Sequence, residues 1–180
     1  MGIRTAVIVE KKLLKHLTAS IGNDYIPGVI RQGTGELHIQ TGALPWRLSS
    51  KNKVEVLLVT SRRSGRWTIP KGWPMRGKSL AEAAAREAFE EAGVTGPVDP
   101  KPIGRVSYVK NLLAIGELEV SIVVHRLRVD EELRKWPELG QRKRRWFSAK
   151  GAAKRVDSPE LSELILQSLK KRSARERGSQ

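Results

Sequence analysis

The sequence predicts an α/β domain, on three observations. Runs of apolar or β-branched residues of strand length stand at 37–48, 54–60, 106–109 and 120–129, as sheet strands should. Segments with helical signals fall between and after them, at 80–92, 149–154 and 159–171, so strands and helices interleave. A length of 180 residues suits one compact domain with a real hydrophobic core.

Residues 1–37 mix a basic amphipathic stretch from Lys11 to Leu17 with a Gly- and Pro-containing segment, and they show no clean turn-strand rhythm. They are read as an N-terminal arm, with Leu13, Leu14 and Leu17 at the spacing of a short helix packed on the domain. The domain itself is expected over 38–170. Its central helix carries both boundary signals. Ser79 and Glu82 form a capping box at the start, and Gly93 stands where a left-handed C-terminal cap is wanted. The last helix starts at Ser158 and Pro159, a capping hydroxyl followed by a residue suited to the first helical position. Leu161, Leu164, Ile165 and Leu169 give it an apolar stripe. Residues 171–180 read as a polar, basic tail. No internal repeat is visible.

Composition excludes several classes. Hydrophobic residues at 39% and charged residues at 29% are those of a globular domain, not a disordered chain. With no cysteine, disulfides, thiolate metal sites and cysteine nucleophiles are ruled out. The N-terminal apolar run, Ala6 to Val9, is too short for a signal-peptide core or a membrane span, so a cytoplasmic protein without membrane association is expected. His16, His38 and His125 lie on unrelated segments without metal-ligand spacing, and no Ser-His-Asp reading is supported. A formal net charge of +15 favours polyanionic partners, nucleic acid or polyphosphate.

The chemistry lies between Gly72 and Val94. At about 100° per residue, Glu87, Glu90 and Glu91 fall within an arc of roughly 100° on one helix face. Like charges that close repel, and their place near a helix C-terminus adds an unfavourable dipole term. Arg86 can pair with Glu90 one turn on, but one cation cannot neutralise three carboxylates; a bound divalent metal would. Ala81, Ala85, Ala88, Phe89 and Ala92 form an apolar, mostly small face that lets the helix lie close to the sheet. Oxygen-only ligands favour magnesium, manganese or calcium over zinc, with magnesium the default for phosphate substrates. From the helix alone, a surface helix with acids on its wet face is the commoner reading.

A resemblance changes that weighing. Gly72, Arg86-Glu87, Glu90-Glu91 and Gly93-Val94 stand at the spacing of the Nudix box, G-x5-E-x7-R-E-U-x-E-E-x-G-U with U aliphatic, and the chain resembles the Nudix hydrolase family on that motif. Lys78 replaces the first glutamate, and Ala88 is small for its aliphatic position. The stretches 56–62, 66–72 and 142–147 look like the diphosphoinositol polyphosphate phosphohydrolase branch, with similarity over roughly 40–156, although Arg145 stands where that branch commonly has a glutamate.

The resemblance implies an α/β/α sandwich with a mixed β-sheet and hydrolysis of a phosphoanhydride bond in a highly anionic substrate, of diphosphoinositol or diadenosine polyphosphate type. Related family members act on RNA 5′ ends, and homodimers are common in the family. It implies Mg2+, with Mn2+ as the alternative, held by Glu87, Glu90, Glu91 and the Gly72 carbonyl, with Glu90 and Glu87 as the catalytic pair. Thr60, Ser61, Arg62, Lys71, Arg142 and Lys143 are expected near substrate phosphates, where guanidinium, ammonium and hydroxyl groups suit dense negative charge. Glu138 is a later-loop candidate for the proton acceptor, against its reading as an exposed loop acid. The competing class is a Nudix-like module that senses a nucleotide or grips RNA without cutting it. Lys78 supports that class; the three retained glutamates speak against it.

Overall fold

The computed structural model describes residues 29–32, 35–112 and 116–175, with side chains over 38–108 and 119–168. The helix expected around Leu13 to Leu17 lies outside the described residues, as do positions 176–180 of the basic tail. The described elements are β1 (Val29–Gln32), β2 (Gly35–Leu48), β3 (Val54–Thr60), β4 (Trp67–Thr68), β5 (Lys71–Gly72), α1 (Leu80–Ala92), β6 (Val94–Thr95), β7 (Gly104–Leu112), β8 (Gly116–Arg128), β9 (Glu131–Glu132), β10 (Arg144–Ser148), α2 (Ala149–Ala153) and α3 (Pro159–Arg175). None of the helices is long and apolar enough to cross a membrane, among the described residues.

The main sheet runs β10-β3-β2-β8-β7, with β1 and β5 also paired to β2 and β4 to β3. It is mixed: β2 and β8 pair in parallel, while the neighbouring pairs are antiparallel. β6 and β9 form a separate two-stranded sheet. Helices cover both faces. Ala84, Ala88 and Ala92 of α1 meet Ala43, Leu57, Val59 and Leu127 on one side. Ala152, Ala153, Leu161 and Ile165 of α2 and α3 meet Leu44, Val56, Leu58, Ile122 and Val124 on the other. The chain is thus an α/β/α sandwich with a mixed sheet. The unbroken run Val56-Leu57-Leu58-Val59 follows from this arrangement. A strand covered on both faces has no polar side to show, and all four residues are fully buried.

α1 has the boundaries expected of it. The Ser79 hydroxyl accepts the Glu82 amide at 3.2 Å, the Glu82 carboxylate accepts the Ser79 amide at 2.7 Å, and Gly93 is left-handed at φ 60°. Its buried stripe is rotated from the expected one. Ala83 and Ala84 are fully buried and Glu91 is only 6% exposed, so one of the three glutamates turns toward the protein. Strands β1, β4, β5, β6, β9 and β10 were not anticipated. β1 lies inside the stretch that lacked strand rhythm and pairs with the start of β2. β10 begins within a run of basic residues and pairs with β3 from Arg144↔Val59 to Ser148↔Glu55. As a terminal strand in the main sheet order it tolerates charges that a central strand would not.

Candidate active site

Three pieces of chain converge on the C-terminal half of α1: β5, the loop before β10, and residues 142–145, which end that loop and begin the strand. β5 is held by pairing with β2, Thr41↔Gly72 and Gly42↔Lys71. A Cβ on Gly72 would lie 2.1 Å from Glu87 Oε1. Only a glycine lets the Glu87 carboxylate rest against this strand. The loop docks through backbone bonds: the Leu133 amide donates to the Gly93 carbonyl at 2.8 Å and the Glu138 amide to the Glu90 carbonyl at 3.1 Å.

Four carboxylates therefore come together: Glu87, Glu90 and Glu91 from α1 and Glu138 from the loop. Glu87 is pushed up to about 7, first by burial and then by the negative charges of Glu91, Glu90 and Glu138. Glu91 is also pushed up to about 7 by burial, against the pull of Arg142 and of the Lys71 amide. Glu91 Oε2 accepts that amide at 3.2 Å. Glu90 accepts Arg86 Nε at 2.5 Å, the pair expected one turn apart. Glu138, read from the sequence as more ordinarily an exposed acid, is a member of the cluster.

Arg142, expected near substrate phosphates, is buried. Its side chain is 8% exposed, and all three donor positions are engaged within the protein. Nη2 bonds Glu91 Oε1, Nε donates to Glu138 Oε2 at 2.5 Å, and Nη1 donates to the Thr60 carbonyl at 3.0 Å. Arg144, two residues on, was not singled out from the sequence. Its guanidinium donates to the carbonyls of Ala92 at 2.6 Å, Gly93 at 3.1 Å and Leu133 at 3.0 Å, and lies 4.1 Å over the Trp136 ring. α1 has no basic residue in its own last turn. Arg144 supplies that charge from another element, where it offsets the helix dipole beneath the carboxylates.

The remaining expected residues divide. Thr60 is tied to the same segment: its amide donates to the Lys143 carbonyl at 2.9 Å and its hydroxyl accepts the Lys143 amide at 3.0 Å. Ser61 opens a tight loop, its hydroxyl 2.5 Å from that of Ser64. Arg62, on that loop, is 60% exposed with Glu138 at 3.4 Å, a pair too open to hold it firmly. Lys71 serves Glu91 through its backbone, while its ammonium group stands 5.3 Å over the Tyr108 ring. Lys143, Arg63, Arg66, Arg76 and Lys78 are exposed. His125 is buried in the sheet with Nδ1 3.0 Å from the Asp99 carbonyl, away from the cluster. A groove of about 490 Å³ at the far end of β2 is lined by Trp46, Arg47, Leu48 and Arg128 among others. Both of its arginines are paired to acids.

A divalent cation suits this donor set by its chemistry. The donors are hard oxygens, and the raised proton affinity of Glu87 and Glu91 marks a place where positive charge is favoured. Arg86 and Arg142 meet part of that need. Among the described residues no three acids or imidazoles stand close enough together to hold a metal ion as they are.

Residues 38–167 match the family described as NUDIX domain. The chain is 29% identical over 156 residues to the mitochondrial Nudix hydrolase 13 of Arabidopsis thaliana, a match covering 77% of this chain and 74% of that one. It is 37% identical over 109 residues to the diphosphoinositol polyphosphate phosphohydrolase 3-beta of Bos taurus, covering 58% of this chain and 62% of the relative. Among solved structures it resembles a C. elegans Ap4A hydrolase binary complex, at TM-score 0.55 and 24% identity, over 78% of this chain and 98% of that one. That last likeness concerns the fold.

Proposed function

The chain belongs to the Nudix hydrolase family, and from that premise we propose that it cleaves a phosphoanhydride bond in a small polyphosphorylated molecule, of diphosphoinositol or diadenosine polyphosphate type, with Mg2+. The observation that carries this reading is the cluster of Glu87, Glu90, Glu91 and Glu138 on and against α1, bordered by the exposed Arg62 and Lys143. The substrate named for the bovine relative belongs to the same chemical class.

When bound, the divalent ion would withdraw charge from the phosphoryl oxygens and make an attacking water more acidic. Glu87, Glu90 and Glu91, with the Gly72 backbone beside Glu87, would hold it. Glu90 is 31% exposed and would serve as the proton acceptor. Glu87, raised to about 7 without metal, would ionise as the cation binds beside it. Arg62 and Lys143 lie at the border where phosphate charge must be neutralised, with Ser61 adding a hydroxyl. Removal of negative charge from the leaving phosphate is the largest service such a basic rim can give.

The test is to incubate the full chain with Mg2+ and a panel of diphosphoinositol polyphosphates, diadenosine polyphosphates, ADP-ribose and triphosphorylated RNA, with Glu90→Gln as control. Metal-dependent cleavage of the first two classes, lost in the variant, is the expected outcome. Tight binding without cleavage of anything would overturn the reading in favour of a sensor.

A further inference from the structure

Resting on the reading of Glu87, Glu90 and Glu91 as the metal-holding face, we propose that the Arg142 guanidinium occupies the cation position of the metal-free site, and that a divalent ion binds by taking Glu91 from it. Arg142 joins the two sources of carboxylate, Glu91 on α1 and Glu138 in the docked loop. Each Glu91 oxygen already accepts one protein donor, Oε2 from the Lys71 amide and Oε1 from Arg142 Nη2. The backbone amide is fixed by β5 pairing with β2; the guanidinium is on a side chain and can move. The exchange therefore takes place at Oε1.

Burial makes this exchange strict. The Arg142 and Glu91 side chains are 8% and 7% exposed, so water cannot stand in for either partner, and Glu91 gives up one cation only to another. The second arginine of the cluster is different. Arg86 and Glu90 are 49% and 31% exposed, and solvent can replace that pair at little cost. Arg142 stands between Glu91 and Glu138, and with the guanidinium there the acids form no group of three able to hold a metal ion among the described residues.

A structural brace and a competing cation change metal affinity in opposite directions. A brace, when removed, loosens the site and weakens metal binding. A competing cation, when removed, leaves Glu91 Oε1 open and takes away a repelling positive charge, so metal binding tightens. Mn2+ is the probe, its free fraction read by electron paramagnetic resonance with the full chain. Arg142→Gln is expected to bind Mn2+ about tenfold tighter than wild type, a difference of about 1.4 kcal/mol. Arg142→Lys keeps the charge and is expected to stay within about threefold of wild type. Equal or weaker Mn2+ binding by Arg142→Gln overturns the proposal.

Should the glutamine variant not fold, the wild type supplies the measurement. The side-chain 15N signals of Arg142, assigned by their loss in Arg142→Lys, are expected to shift and exchange faster on Mg2+ addition; unchanged signals at saturating Mg2+ overturn the exchange. Glu87→Gln separates the two levels of inference. If it binds Mn2+ as wild type does, the metal-face reading itself fails. If it weakens Mn2+ binding while Arg142→Gln brings no gain, only the role given to Arg142 falls.

Discussion

Helix α1 and the segment 142–145 that lies across it carry opposite charges and follow different periods. On α1 the acids return to one face by helical spacing, and Glu87, Glu90 and Glu91 share one patch although they span five residues. On the segment the period is two. Arg142 and Arg144 turn in, to Glu91 and to the end of α1, while Lys143 and Arg145 are exposed. Four consecutive basic residues therefore hold two unlike tasks, divided by parity. Charge of one sign in a row is not one functional unit; the local backbone period decides which members reach the site.

Glu90→Gln strikes the helical side of this comparison hardest. Turnover should fall about 10²- to 10⁴-fold, while the thermal midpoint stays near wild type because Glu90 is partly exposed and paired only to Arg86. Steady-state rates and a circular dichroism melt check both halves; normal turnover would show that α1 is not the reacting face. Gly72→Ala acts on the same face from outside. Its Cβ lands on the flexible end of Glu87, so the carboxylate must move rather than the fold, and a displacement of that size should lower activity about 10- to 100-fold. A variant with full activity would show that Glu87 need not rest on β5.

Parity is tested by neighbours. Arg144→Ala removes donors to three carbonyls and the cover over Trp136, and should cost about 2–4 kcal/mol in urea unfolding. Lys143→Ala should change stability by no more than about 0.5 kcal/mol but raise KM for a polyphosphate substrate and flatten its salt dependence. Equal stability losses in the two variants would break the comparison.

The smallest effect concerns pH. In the metal-free protein Glu87 and Glu91 are raised from 4.5 to about 7. Their contribution to stability is then fully present below about pH 4.5 and is lost as pH rises through about 7. His125 has the opposite sign, since burial lowers its pKa from 6.5; its contribution is present above 6.5 and is lost as pH falls below that value. Between pH 6 and 8 the glutamates should dominate. The midpoint without metal should fall with rising pH, Glu87→Gln should flatten that slope, and Mg2+ should raise the midpoint more at pH 8 than at pH 6. A flat wild-type profile would show that neither carboxyl is raised.

Local chemistry made part of this legible. The start of α1 follows from the Ser79 hydroxyl and the Glu82 carboxylate and its end from Gly93, and the start of α3 from Ser158 and Pro159, because a cap satisfies backbone groups only one turn away. The doubly covered sheet was anticipated from a family resemblance, and the unbroken apolar run of β3 agrees with it. β1 and β5, of four and two residues, are too short to carry a pattern and exist through their pairing with β2.

From its residues alone the chain specified the interleaved strands and helices, the capped helix and the three glutamates on one turn-and-a-half of it, since all of these arise between neighbours in sequence. Contacts across the fold decided the rest. Glu91 became a buried acid because the α1 stripe settled with Ala83 and Ala84 inward. Glu138 joined the cluster because a loop amide found the Glu90 carbonyl. Arg142 and Arg144 acquired their partners 51 and 52 residues away, a distance over which no local period or propensity acts.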